Sequence, residues 1–82
     1  MNELGTGILK VLESSSLGRM SVYVLSKQSI DLGINLDTIS PDEARVLMNR
    51  LKTVLPFFLA DETNEVLANL RKFVIDGNMV MT

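Results

Sequence analysis

Asp31, Asn35, Asp37 and Asp42 place four oxygen-bearing side chains within one twelve-residue stretch, the density a calcium loop would need. Aligned from Asp31, however, the third position is Gly33, the sixth is Leu36 where a calcium loop turns on glycine, and the last is Asp42 instead of a bidentate glutamate. The loop pattern fails, and Asn35 and Asp37 read as turn formers. The adjacent carboxylates Asp42/Glu43 and Asp61/Glu62 have the composition of an acid–base pair, but both pairs fall at expected helix starts, where capping and the helix dipole account for them. Ser14, Ser15, Ser16 and Lys27 are nucleophile types with nothing to activate them, because the chain has no histidine and no cysteine. Gly5-Thr6-Gly7 lacks the lysine and the spacing of a phosphate loop. We therefore expect no catalytic residue, no metal and no cofactor, and read the chain as a non-enzyme.

A different chemistry is written in Ser29-Ile30-Asp31-Leu32-Gly33-Ile34 followed by Ile39. A small residue, a glycine four later and an aliphatic six beyond that is the spacing of a helix-turn-helix, so a DNA-binding, transcription-related domain is the alternative function. The recognition helix would run through Asn35 to Ile39 with Pro41 inside it, and would offer Asp37, Thr38 and Asp42 to phosphates. The chain as a whole carries 8 basic and 10 acidic residues, net −2, with the signs interspersed. Both observations argue against nucleic acid as a partner, and Gly33 is better explained as the C-terminal cap of the second helix.

The elements that position these groups are helical. With 82 residues the chain has room for one domain and one core, so residues 1–82 are expected to form a single helical domain. Ser40-Pro41-Asp42-Glu43 combines an N-cap hydroxyl, a proline at the first helical position and a glutamate that reaches back to the cap. Beyond it Ala44, Leu47, Met48, Leu51, Val54, Leu55 and Phe58 share an arc of roughly 120° at 3.6 residues per turn, a core-facing stripe. Pro56 must kink or end that helix. Asp61 or Thr63 is the expected cap of the last helix, with Val66, Leu67, Leu70, Phe73 and Val74 as its inner face, Arg71 and Lys72 at its negative end and Gly77 closing it. Leu59 to Glu62 is too short for anything but a turn, so the last two helices should pack against each other.

The first half is less sharply punctuated. Leu4, Ile8, Val11 and Leu12 predict a short amphipathic helix that Gly5 and Gly7 weaken into fraying at its start and that the serines at 14–16 end. Between Leu17 and Gly33 the apolar residues do not keep to one side: Val22, Leu25 and Leu32 fall with Gly18 and Ser29, whereas Leu17, Met20 and Val24 project elsewhere. A helix buried on more than one side follows, with only Lys27, Gln28 and Asp31 wet. A strand over Met20 to Leu25 is the alternative, since its β-branched residues favour one, but it would have no partner strand. Ile34 to Ile39 is a connector and Met79 to Thr82 a tail without pattern. The fold class is thus all-α, a compact four-helix domain with a central buried second helix.

One feature exceeds what a core requires. Val46 and Phe57 lie within about 20° of each other on the side of the third helix opposite its core stripe, with Arg50 and Thr53 between them. Either Pro56 rotates the helix end so that Phe57 and Phe58 are covered by the last helix, or Val46, Arg50 and Phe57 form an exposed aromatic-plus-arginine patch of the kind enriched at interfaces. The expected partner is a protein or a second copy of the chain, as a homodimer.

Leu17-Gly18-Arg19-Met20, Val24-Leu25-Ser26-Lys27-Gln28, Asp31-Leu32-Gly33, Ile39-Ser40-Pro41-Asp42 and Leu59-Ala60-Asp61-Glu62 together resemble a small helical module that accompanies prokaryotic signalling proteins. The resemblance covers most of the chain, with Arg19 in place of a proline or small residue, and implies a non-enzymatic regulatory or adaptor role. Met1 to Leu12 does not read as a signal peptide, and the apolar runs are far short of the ~20 residues of a membrane span. The absence of cysteine fits a reducing, cytoplasmic setting.

Overall fold

The computed structural model describes residues 1–76. Its elements are α1 (Glu3–Glu13), α2 (Met20–Leu32), α3 (Pro41–Val54), a single turn α4 (Pro56–Leu59), a 3-10 turn (Ala60–Glu62) and α5 (Thr63–Arg71), which runs on into a wide π turn (Lys72–Asp76). The four longer helices give the expected all-α four-helix domain, and no strand occurs among the described residues. The stretch Met20 to Leu25, for which a strand was the alternative, is helix. Gly77 and the segment Met79 to Thr82 lie outside the described residues.

The helices form a closed ring. α1 packs on α2, α2 on α3, α3 on α5 and α5 on α1, with the π turn lying against α1 and α3. Ile8 and Leu12 of α1, Leu25 of α2, Leu47 and Leu51 of α3, Leu55, and Leu70 and Val74 from the last helix and its π turn meet inside and are fully buried. In such a ring each helix has two neighbours and none is central, which corrects the expectation of a central buried α2. Its inner side is Ser21, Val24, Leu25, Gln28 and Ser29, while Met20, Val22, Tyr23 and Ile30 stand in solvent. Two of the three inward-facing polar residues find partners: the Ser29 hydroxyl donates to the Leu25 carbonyl at 2.8 Å and Gln28 meets Arg50, whereas the Ser21 hydroxyl is buried without one. Gln28 is accordingly buried rather than wet.

The start of α1 is docked rather than frayed. The Asn2 side chain accepts from the Gly5 amide at 2.9 Å as an N-cap and donates to the Ile39 carbonyl at 3.0 Å, while the Asn2 amide donates to Leu36 O at 3.2 Å. Gly5 and Gly7 are close-approach positions: a Cβ at Gly5 would stand 2.8 Å from Leu36 O, and one at Gly7 would overlap the Phe73 ring. Both neighbours, one backbone and one side chain, come from outside α1, so local propensity understates this helix.

α3 begins as its sequence dictates. Ser40 Oγ accepts from the Glu43 amide at 3.2 Å, Glu43 Oε1 accepts from the Ser40 amide at 3.0 Å, and Pro41 takes the first helical position. Ala44, Leu47, Leu51 and Leu55 are the buried stripe, with Met48 and Val54 packed beside it. Pro56 ends α3 and opens α4, after which Leu59 takes the next buried place in the i, i+4 series. Phe58, expected in the stripe, is therefore exposed. α5 is not capped by Asp61 or Thr63: the 3-10 turn leads into it with no side-chain cap, and Thr63 Oγ1 is buried without a partner. The Glu62 carboxylate instead accepts from the Ser16 amide at 3.2 Å, tying the segment before α2 to the start of α5.

Candidate functional site

The groups that suggested chemistry are occupied with structure. Asn35 Oδ1 accepts from the Asp37 amide at 2.8 Å in an Asx turn, Asp37 pairs with the Met1 ammonium at 2.8 Å, and Asp31 pairs with Lys27 at 3.1 Å. Asp42 pairs with Arg45, and Glu43 closes the capping box. Ser14 and Ser15 donate back to the carbonyls of Val11 and Leu12, and Gly5-Thr6-Gly7 lies inside a helix, where it cannot cradle a phosphate. No group of three metal-ligating side chains occurs among the described residues.

The helix-turn-helix spacing resolves into a helix end. Gly33 has φ 71°, its amide donates to Ile30 O, and the Ile34 amide donates to Ser29 O at 2.8 Å, the two bonds of a Schellman cap. Asn35 to Ile39 carries no helix, and the next helix starts at Pro41.

The stripe on α3 is where sequence spacing and structure converge. Phe57 is 85% exposed and Val46 51% exposed, on the side of the helix away from Leu47 and Leu51. Phe58 beside it is 48% exposed, so neither phenylalanine is covered by α5. Arg50 is half-buried; its Nη1 donates to Gln28 Oε1 across 3.4 Å, a long contact that bridges α3 to α2 between the two apolar ends of the stripe. Thr53 is exposed.

α2 adds exposed apolar residues of its own. It is joined to α3 by the short connection from Gly33 to Ser40 and touches it through the Arg50–Gln28 contact. Met20, the first residue of α2 and in one helical column with Val24 and Gln28, is exposed. Tyr23 and Ile30 project from α2 at i, i+7 with Lys27 between them, a second exposed row. Sequence reading missed these residues because it counted them as core; their i, i+4, i+7 spacing around a lysine was the available signal.

A concavity of about 360 Å³ lies between α3 and α5, lined by Met48, Asn49, Lys52, Asn64, Leu67, Ala68 and Arg71. No helix among the described residues is long and apolar enough to cross a membrane. No family model, no curated protein and no solved structure matches the chain.

Proposed function

We propose that this chain is a non-enzymatic protein–protein interaction module of the cytoplasm, which presents the outer face of α3 and α4 to another protein or to a second copy of itself. The observation that supports it most is Phe57, the most exposed large hydrophobic side chain among the described residues. Scattered exposed apolar groups are ordinary. Here Phe57 is accompanied by exposed Phe58 next to it and by exposed Val46 at helical spacing on α3, with half-buried Arg50 between Val46 and Phe57 reaching Gln28 of α2. Transferring the exposed part of one phenylalanine such as Phe57 from water to an interface is worth roughly 1.5–3 kcal/mol, which reaches the scale of an interface hot spot.

The regulatory or adaptor side of the reading rests on the resemblance of the Leu17–Met20, Val24–Gln28 and Ile39–Asp42 segments to modules that accompany signalling proteins. In the mechanism, the ring of helices holds the outer face of α3 and α4 in place, and Arg50 ties that face to α2 through Gln28. Binding then costs little ordering of the module itself. The test is Val46→Ser combined with Phe57→Ser: the wild-type chain is expected to self-associate or to capture a partner from its native cell, and the double variant to lose that association. Unchanged association would exclude this face.

A further inference from the structure

We infer that the groove between α3 and α5 is a binding site for a small organic anion, a phosphate monoester carried on an apolar body, independent of the α3–α4 interaction face. Its two cations come from different helices, Lys52 from the last turn of α3 and Arg71 from the last turn of α5. Among the described residues neither forms a salt bridge and no carboxylate lines the groove. This is a local excess of two positive charges in a chain whose net charge is −2. Helix dipoles favour a cation at each of these ends, but they do not account for two cations opening onto one concavity.

The rest of the lining fits the same ligand. Asn49 of α3 and Asn64 of α5 line it and carry amide donors suited to phosphate oxygens, and Met48 and Leu67, half-buried and packed against the core, supply its apolar part. At about 360 Å³ the concavity falls in the lower range of small-molecule sites. An arginine supplies the planar fork that grips a phosphate by two parallel bonds, a lysine adds a point charge, and a methionine adapts to the shape of the apolar body.

Phenyl phosphate is the probe, with inorganic phosphate and benzyl alcohol as its charged and apolar halves, and vesicles of phosphatidic acid in phosphatidylcholine as the lipid-borne form of the same group. Amide resonances followed by two-dimensional NMR at low salt should shift saturably with phenyl phosphate, confined to residues 48–52 and 64–71. Inorganic phosphate should bind at least about tenfold more weakly and benzyl alcohol without saturation, since each lacks one half of the match. Lys52→Glu and Arg71→Glu, both at exposed positions, should each lower the affinity at least about tenfold while leaving the circular dichroism spectrum unchanged. Absence of saturable shifts, shifts outside the groove, indifference to both charge reversals, or binding to vesicles but not to phenyl phosphate would each overturn the inference.

Discussion

Replacing Gly5 with alanine sets two opposed effects against each other, and the structure decides the sign. Gly5 sits in the first turn of α1, where alanine would ordinarily stabilise a helix by about 1 kcal/mol. The added Cβ, however, would stand 2.8 Å from the Leu36 carbonyl oxygen and 3.4 Å from Met1 Cβ. Leu36 O is backbone and already accepts from the Asn2 amide at 3.2 Å, so it cannot yield without loosening that bond and the Asn2 cap behind it. Overpacking of this kind costs about 1–3 kcal/mol, and a weakened part-buried hydrogen bond about 0.5–1.5 more. Less the propensity gain, the net loss is about 0.5–3.5 kcal/mol, which for a domain of this size lowers the melting temperature by roughly 2–28 °C. Urea titrations of wild type and Gly5→Ala, with Gly7→Ala alongside, provide the measurement. At Gly7 the obstacle is the tip of the Phe73 ring, which can swing aside, so the loss there should be smaller. A Gly5→Ala variant more stable than wild type would refute the docking of α1 on the 34–39 connection.

Two further substitutions probe the frame that carries the proposed face. Leu51→Ala, at a fully buried position in the α3 stripe, should cost about 2–5 kcal/mol by chemical denaturation; a loss below that range would mean the stripe is not core. Ala60 links α4 to α5 with φ 49° and ψ −116°, a conformation that costs a non-glycine residue about 1–3 kcal/mol, so Ala60→Gly should stabilise by about 1 kcal/mol after the entropy of the unfolded glycine is subtracted. Thermal melts read that gain directly, and destabilisation would show that the strain is absent.

What could be read from sequence was what is decided locally. The Ser40-Pro41-Asp42-Glu43 start and the Gly33 stop are written in adjacent residues, and both formed as expected. The Asn2 cap and the docking of Gly5 depend on Leu36 and Ile39, more than thirty residues away, and no local pattern announces them. α2 misled because its inner side carries Ser21, Gln28 and Ser29 while Met20, Val22, Tyr23 and Ile30 are outside. Hydrophobicity alone assigns such a helix to the interior; the internal bonds of Ser29 and Gln28 offset much of the penalty for the reverse, although the Ser21 hydroxyl is buried without a partner. The Val46 and Phe57 stripe was visible because Leu47, Leu51 and Leu55 define the core side of α3 so firmly that what lies opposite must be outside. The Lys52–Arg71 groove was not visible, since it exists only once α3 and α5 are paired.

The most direct measurement of the central claim is the double variant Val46→Ser with Phe57→Ser, followed by thermal melts and sedimentation on the same sample and by capture from the native cell. Both positions are exposed, so each substitution should change stability by no more than ~0.5 kcal/mol. The melting temperature should then stay within a few degrees of wild type while self-association or partner capture is lost, as removal of a buried aromatic anchor from an interface requires. A fall of several kcal/mol, the scale of an aromatic core truncation, or association that persists in a fully folded double variant, would contradict the claim that this face is where the protein acts.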